Sequence, residues 1–214
     1  MEHSVYIFDF DGTLVDSMPH WAERMLDILR MNGVEYPDNV INIITPLGNV
    51  GTAEYFRKEL GVTMSVEEIL EIMAKIVFPD YRDVIGFKQG VEEYLRKMKA
   101  QGCSLNILTA SPHRSVDACL KRLGMFDIFD NIWSTDDFGM PKSNPDIYRL
   151  AIKRIGCNID DTVFFDDNYV ALATASQAGM YTVGVYDSFS ERSIEQIRKI
   201  SNIYINTFDE IGRV

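Results

Sequence analysis

Apolar positions along the chain fall into two patterns. Short runs rich in β-branched and aromatic residues recur as "SVYIFDF", "SLNILTA", "NIWST", "DTVFFDD" and "YTVGVYD". Between the later runs lie stretches with helical spacing, each closed by glycine: "VEEYLRKMKAQG", "SVDACLKRLG", "NPDIYRLAIKRIG" and "ALATASQAG". Strand and helix in alternation, with a glycine where each helix stops, predict βα units. The expected fold class is α/β, a doubly wound and mainly parallel sheet covered on both faces. Ser111-Pro112 and Asn144-Pro145 each predict a helix start, with a capping side chain followed by proline at the first helical position.

Residues 17 to about 85 follow the other pattern. "HWAERMLDILRMNG", "TAEYFRKELG" and "SVEEILEIMAKIVF" have helical spacing, and no convincing strand lies among them. Ser65 with Glu68 forms the signature of a capping box ahead of the last. The expected organisation is therefore a catalytic core of residues 1–16 and 86–214, interrupted by an all-helical domain of residues 17–85. The two links lie near Val15–Pro19 and Asp83–Lys88.

Composition narrows the classes of function. Hydrophobic residues make up 46% of the 214, enough for a substantial core, and the formal charge is −11. No basic stripe offers itself to nucleic acid, and an acidic body disfavours anionic membranes. Cys103, Cys119 and Cys157 are odd in number and widely spaced. They read as reduced thiols of a cytoplasmic protein, not as a disulfide or zinc framework. No apolar run reaches the roughly 18 residues of a membrane span.

The candidate chemistry sits where strands end, which is where ligands bind in a parallel α/β sheet. Asp9 and Asp11 close the first run, Thr109 the second, and Asp166 and Asp167 the run "TVFFDD"; Lys142 lies in "GMPKSNPD" before a helix. Two carboxylates as close as Asp9 and Asp11 resist ionising together unless positive charge lies between them. Magnesium, a hard cation that takes oxygen ligands, suits such a set.

At these residues the chain resembles the haloacid dehalogenase superfamily of phosphohydrolases, in the branch with a helical cap inserted after the first motif. "DFDGTLVDS" is similar to the first motif, "ILTAS" to the second, "PKSNPDIY" to the third, and "FFDDN" followed by "ATASQAGM" to the fourth. The resemblance implies a Mg²⁺-dependent phosphatase acting on a small phosphorylated metabolite through an aspartyl-phosphate. It casts Asp9 as nucleophile and Asp11 as general acid and base. Asp9 and Asp167 become direct metal ligands, joined by the Asp11 carbonyl and, directly or through water, by Asp166. Thr109, Lys142 and the backbone N–H groups of Ala110 and Ser111 would hold the phosphate. Where the family usually has proline after the motif lysine, this chain has Ser143.

Other groups have plainer readings. Asp16 is expected to fix the turn after the first motif, and Ser111 to cap a helix. Asp136 and Asp137 read as a solvated loop pair, His113 as a first-turn helix residue, His20 as the start of the first cap helix, and His3 as a terminal residue. A sugar phosphomutase of the beta-phosphoglucomutase type is the rival activity, but the position of its cap histidine corresponds to Trp21, with His20 one place away. A phosphoacceptor signalling receiver is the rival of another class. There the acid pair is adjacent; here Phe10 separates the two aspartates. The expected state is a monomer without nucleic-acid or membrane partners.

Overall fold

The structure is a computed structural model that describes residues 3–214. In chain order, β1 (Val5–Phe8) is followed by four helices, α1 (Met18–Met31), α2 (Val40–Ile44), α3 (Gly48–Lys58) and α4 (Val66–Asp83). Then come α5 (Val91–Ala100), β2 (Ser104–Thr109), α6 (His113–Arg122), β3 (Asn131–Ser134) and α7 (Asp146–Ile155). The chain ends through β4 (Thr162–Asp166), α8 (Tyr169–Ala178), β5 (Tyr181–Val185), α9 (Ile194–Ile200) and β6 (Ile203–Ile205). Two compact units result: Met1–Asp16 with Gly86–Val214, and Ser17–Ile85.

In the first unit the strands lie in the order β3-β2-β1-β4-β5-β6, and every pairing is parallel. The α/β expectation therefore holds. The connections run to one side of β1 through β2 and β3, then to the other through β4, so β1 and β4 flank the point where strand order reverses. Such a reversal opens a crevice at the carboxyl ends of the strands. Register brings Phe8 level with Ile107 and Phe165, and the N–H of Asp9 continues the ladder to the Phe165 carbonyl at 2.8 Å. Asp9 thus leaves β1 beside Asp166 at the end of β4.

The central strands are buried on both faces, so they read as continuous apolar runs. Alternation still sorts the side chains. Ile7, Leu108 and Phe164 pack with Tyr148, Leu172 and Ile197. Tyr6, Phe8 and Phe165 form an aromatic group with Tyr94 and Phe208. At the close of α8 the Met180 N–H reaches back to the Ala175 carbonyl at 3.1 Å, with Gly179 at φ 101°. Only glycine holds that left-handed turn without strain.

Several details depart from the sequence reading. α2, α9 and β6 were not anticipated. β6 has only three residues, between polar asparagines, and exists because β5 offers it an edge, with Val183 level with Ile203. Pro112 and Pro145 each stand just outside their helices, not at the first helical position. Pro112 has ψ 144°, an extended conformation, so α6 starts at His113. Before α7 the Asn144 side chain nonetheless accepts the Asp146 N–H at 3.0 Å.

The helical unit packs Met25, Ile28 and Leu29 of α1 with Phe56 of α3 and Ile69 and Met73 of α4. The Ser65–Glu68 capping box is present in both directions. α4 continues through Pro79 to Asp83, past the apolar run that marks it in the sequence. Proline within a helix removes one backbone hydrogen bond. Tertiary bonds hold the extra turn: Arg24 grips Asp80 through two nitrogens at 2.7 and 3.0 Å, and the Trp21 indole N–H donates to the Tyr81 hydroxyl at 2.7 Å. Among the described residues no helix is long and apolar enough to cross a membrane.

Candidate active site

Asp9, Asp166 and Asp167 converge just beyond the ends of β1 and β4. One carboxylate oxygen from each lies within 4.8 Å of the others, and all three residues are buried. Lys142 reaches in from the segment before α7, its ammonium 2.6 Å from Asp9 Oδ1 and 2.7 Å from Asp166 Oδ2. The backbone of that segment is held by Tyr148, whose hydroxyl lies 3.0 Å from the carbonyls of Lys142 and Ala171. A side chain reaching back from α7 therefore fixes the lysine loop, in which Ser143 follows Lys142.

Each acid is oriented as well as buried. Asp166 Oδ1 accepts the Asn168 N–H at 2.7 Å. Asp167 receives the Thr13 hydroxyl at 3.2 Å on one oxygen and the Ser190 hydroxyl at 2.8 Å on the other. Gly12 sits against it: a Cβ there would lie 3.0 Å from the Asp167 carboxylate, and φ is 75°. That glycine satisfies both the turn and the close approach.

Charge in this cluster is unbalanced. Burial, opposed by Lys142 and reinforced by Asp166 and Asp167, pushes the Asp9 carboxyl well above its ordinary range. Burial, then the charges of Asp166 and Asp187, push Asp167 up to about 7. Lys142 moves the other way: burial would weaken its hold on a proton, but Asp166 and Asp9 more than offset that and raise it. One ammonium against three buried carboxylates leaves two negative charges in excess when all are ionised. The donors are all hard oxygens. A small divalent cation fits both the charge and the chemistry of the set.

Asp11 stands apart from this cluster. Half-buried, its Oδ2 accepts a hydrogen bond from the Ser111 hydroxyl. Thr109 is buried at the end of β2, and its Oγ1 accepts the Ser111 N–H at 3.0 Å. That amide, expected to face a phosphate oxygen, is thus turned onto Thr109. Ala110 is exposed next to them. Asp136 and Asp137 are exposed as expected, but they lie in a short 3-10 helix and not in a plain loop. Asp137 Oδ2 accepts the Ser134 N–H at 2.9 Å and lies 2.7 Å from His113 Nε2. It closes the turn after β3 and ties it to the start of α6. Asp16 is exposed, and its backbone N–H bonds the Gly86 carbonyl at 3.0 Å.

With four motif segments meeting at one crevice, comparison with known proteins becomes informative. The profile of the haloacid dehalogenase-like hydrolases matches residues 6–185. The chain belongs to that family. YhcW of Bacillus subtilis, which bears the name of a phosphatase, is 30% identical over 183 residues, 83% of this chain and 80% of its own. A phosphoglycolate phosphatase of Psychrobacter arcticus is 27% identical over 214 residues, covering 94% of this chain and 90% of its own. Among solved structures, CbbY of Rhodobacter sphaeroides in complex with phosphate superposes with a TM-score of 0.84, at 21% identity over 98% of this chain and 96% of that one. The family resemblance read from the four motifs is borne out, as is the reading of a phosphoric monoester hydrolase.

Several residues that build the site were not singled out in the sequence. Thr13 and Tyr148 lie within motif segments but act by holding Asp167 and the Lys142 backbone, while Ser190, Lys88 and Asp187 lie outside every motif segment. Ser190 comes more than twenty positions after Asp167, and only the return of the chain at the end of β5 brings it close.

Proposed function

We propose that this haloacid dehalogenase-like hydrolase is a Mg²⁺-dependent phosphatase that cleaves small phosphomonoesters through phosphorylated Asp9. The observation that carries this reading is the buried cluster of Asp9, Asp166 and Asp167 bridged by Lys142. Asp9, Asp166, Asp167 and the Asp11 carbonyl would hold the ion, which when bound supplies the positive charge that lets an anionic carboxylate approach an anionic ester.

The residues divide the chemistry as follows. An Asp9 oxygen attacks phosphorus and the ester P–O bond breaks, the departing oxygen taking a proton from Asp11. Water then attacks the phosphorus of phospho-Asp9, giving its proton to Asp11, and the bond to Asp9 breaks to release phosphate. Lys142 and Thr109 steady the phosphoryl oxygens. Asp11 suits a group that exchanges protons because it stands outside the carboxylate cluster, against the Ser111 hydroxyl.

The helical unit of residues 17–85 acts on this reading as the cap, and "TPLGNVGT" as its specificity element. Leu47 and Val50 in that segment are exposed apolar groups, and the segment carries no charge. The mutase alternative is not favoured: Trp21 stands where a cap histidine would be needed, and its N–H is committed to Tyr81. Membership of the hydrolase family likewise leaves the receiver reading without support.

The test is trapping. The Asp11→Ala variant given an aryl phosphate and Mg²⁺ is expected to accumulate a mass increase on the peptide that carries Asp9, because a good leaving group needs no proton whereas water still needs a base. Asp9→Asn should show none. An adduct on serine, threonine or histidine, or full wild-type turnover in excess chelator, would overturn the mechanism.

A further inference from the structure

Lys88 belongs to no motif, yet its ammonium occupies a node behind the active site. It donates to the Gly12 carbonyl at 2.7 Å, to the Tyr186 carbonyl, and to Asp187 Oδ2 at 3.0 Å. A lysine has three N–H donors, and three acceptors meet them here. The side chain is only 15% exposed and Asp187 4%, so the ion pair is shielded from water.

The surroundings show what the node holds. The Lys88 N–H bonds the Leu14 carbonyl at 2.9 Å, and the Asp16 N–H bonds the Gly86 carbonyl at 3.0 Å. Bridges join Asp11 with Val15 and Val15 with Phe87. The turn that follows Asp9 is thereby laced to the segment Gly86–Lys88, and the Lys88 ammonium carries the lacing on to the end of β5. From there Asp187 accepts the Phe189 N–H at 2.9 Å, and Ser190 donates to Asp167. A single cation thus links the Asp11-Gly12 turn to the loop that orients Asp167.

We propose that Lys88 is a positioning residue for the phosphatase reaction, holding the Gly12 carbonyl so that the Asp11 carboxyl is aimed at the leaving oxygen. This rests on the phosphatase reading above. A backbone carbonyl one residue beyond Asp11, held by a buried charge, fixes the Gly12–Thr13 peptide and with it the turn that carries Asp11. A side chain that must first give a proton and then take one depends on that aim. A neutral hydrophobe at position 88 would free the carbonyl and leave Asp187 buried without its cation, a strongly destabilising state.

The experiment separates aim from folding by pairing Lys88→Met with the double variant Lys88→Met/Asp187→Asn, which removes the stranded charge. Asparagine keeps an oxygen for the Phe189 N–H. With Mg²⁺, wild type and both variants are assayed on an alkyl phosphate, which needs Asp11 as acid, and on an aryl phosphate, which hardly does. Melting temperatures are recorded alongside. The double variant is expected to melt closer to wild type than Lys88→Met does. Its alkyl-to-aryl ratio of kcat should still fall about tenfold, part of the hundredfold or more that a well-placed general acid contributes. A ratio equal to that of wild type, with both rates unchanged or both lowered together, would make Lys88 a purely structural residue and leave the phosphatase reading standing. Failure of the wild-type enzyme to turn over either ester would remove the phosphatase reading, and the role of Lys88 with it.

Discussion

The helical unit and the strand-end cluster of the α/β unit each bury carboxylates, and they treat them in opposite ways. In the helical unit Asp80 is 8% exposed in its side chain, and both its oxygens are taken by the Arg24 guanidinium. Its charge is matched within the fold. In the α/β unit Asp9, Asp166 and Asp167 share one ammonium, and two of the three are driven toward the protonated form. Burying charge without a partner costs several kcal/mol per ion. A protein that keeps such a cluster has a use for what neutralises it. The comparison teaches that a buried acid whose compensation is incomplete points to a positive charge still to be supplied.

The largest effect should come from removing one member of the uncompensated set. Asp167→Asn is expected to lower ester turnover at least about a hundredfold at limiting Mg²⁺, because a ligand is lost while the fold keeps its shape. In excess chelator the same variant should melt no lower than wild type, since it relieves repulsion among three acids. The rise in melting temperature that Mg²⁺ gives to wild type should shrink. Melting curves with and without metal, together with ester turnover, measure both. A variant that melts far lower in chelator would show the cluster to be structural, like Asp80, and end the contrast.

Arg24→Met probes the matched pair and should give an intermediate effect. It strands Asp80 in the helical unit, which we expect to cost about 2 kcal/mol, below the value for a fully buried pair because Arg24 is one-third exposed. Denaturant unfolding checks the loss, and Mg²⁺ titration of activity should show the half-saturating concentration unchanged. A shift in that concentration would mean that the two sets of acids are not independent.

The smallest effect belongs to Asp27, whose carboxyl the Arg24 hydrogen bond holds below its ordinary 3.8, with Arg30 adding to it against a little burial. A depressed acid stabilises the fold above its unfolded value and loses that contribution as pH falls through its folded one. Asp27→Asn should therefore cost about 0.5 kcal/mol at neutral pH, and the gap to wild type should close as pH falls through the depressed value of the folded state. Melting temperatures across that window test the sign. A gap that persists in acid would point to packing instead of charge.

How much of this was legible beforehand depends on whether a residue's partner is near in sequence. Asp9, Asp11, Thr109, Lys142, Asp166 and Asp167 could be picked out because strands end there and because short ordered motifs surround them. The five longer strands and the glycine stops were legible for the same local reason. Lys88 and Asp187 were not, for they pair across 99 positions. Asp137 looked like a loop acid although its bond to the Ser134 N–H is a local capping contact; its other partner, His113, becomes a neighbour only when β3 packs beside α6.

The sequence by itself determined the alternation of strand and helix, the helical insertion, the capping box at Ser65 and the identity of the acids. Periodicity, turn chemistry and caps act over a few residues and are written in them. Tertiary structure alone decided that β6 forms, since three residues make a strand only beside an edge already in place. It decided that α4 passes through Pro79, because Asp80 and Tyr81 find Arg24 and Trp21. It also decided that Asp11 turns to Ser111 while Asp9 joins Asp166 and Asp167. Side chains two residues apart were sent to different partners by the strands on either side of them, and no local rule along the chain carries that information.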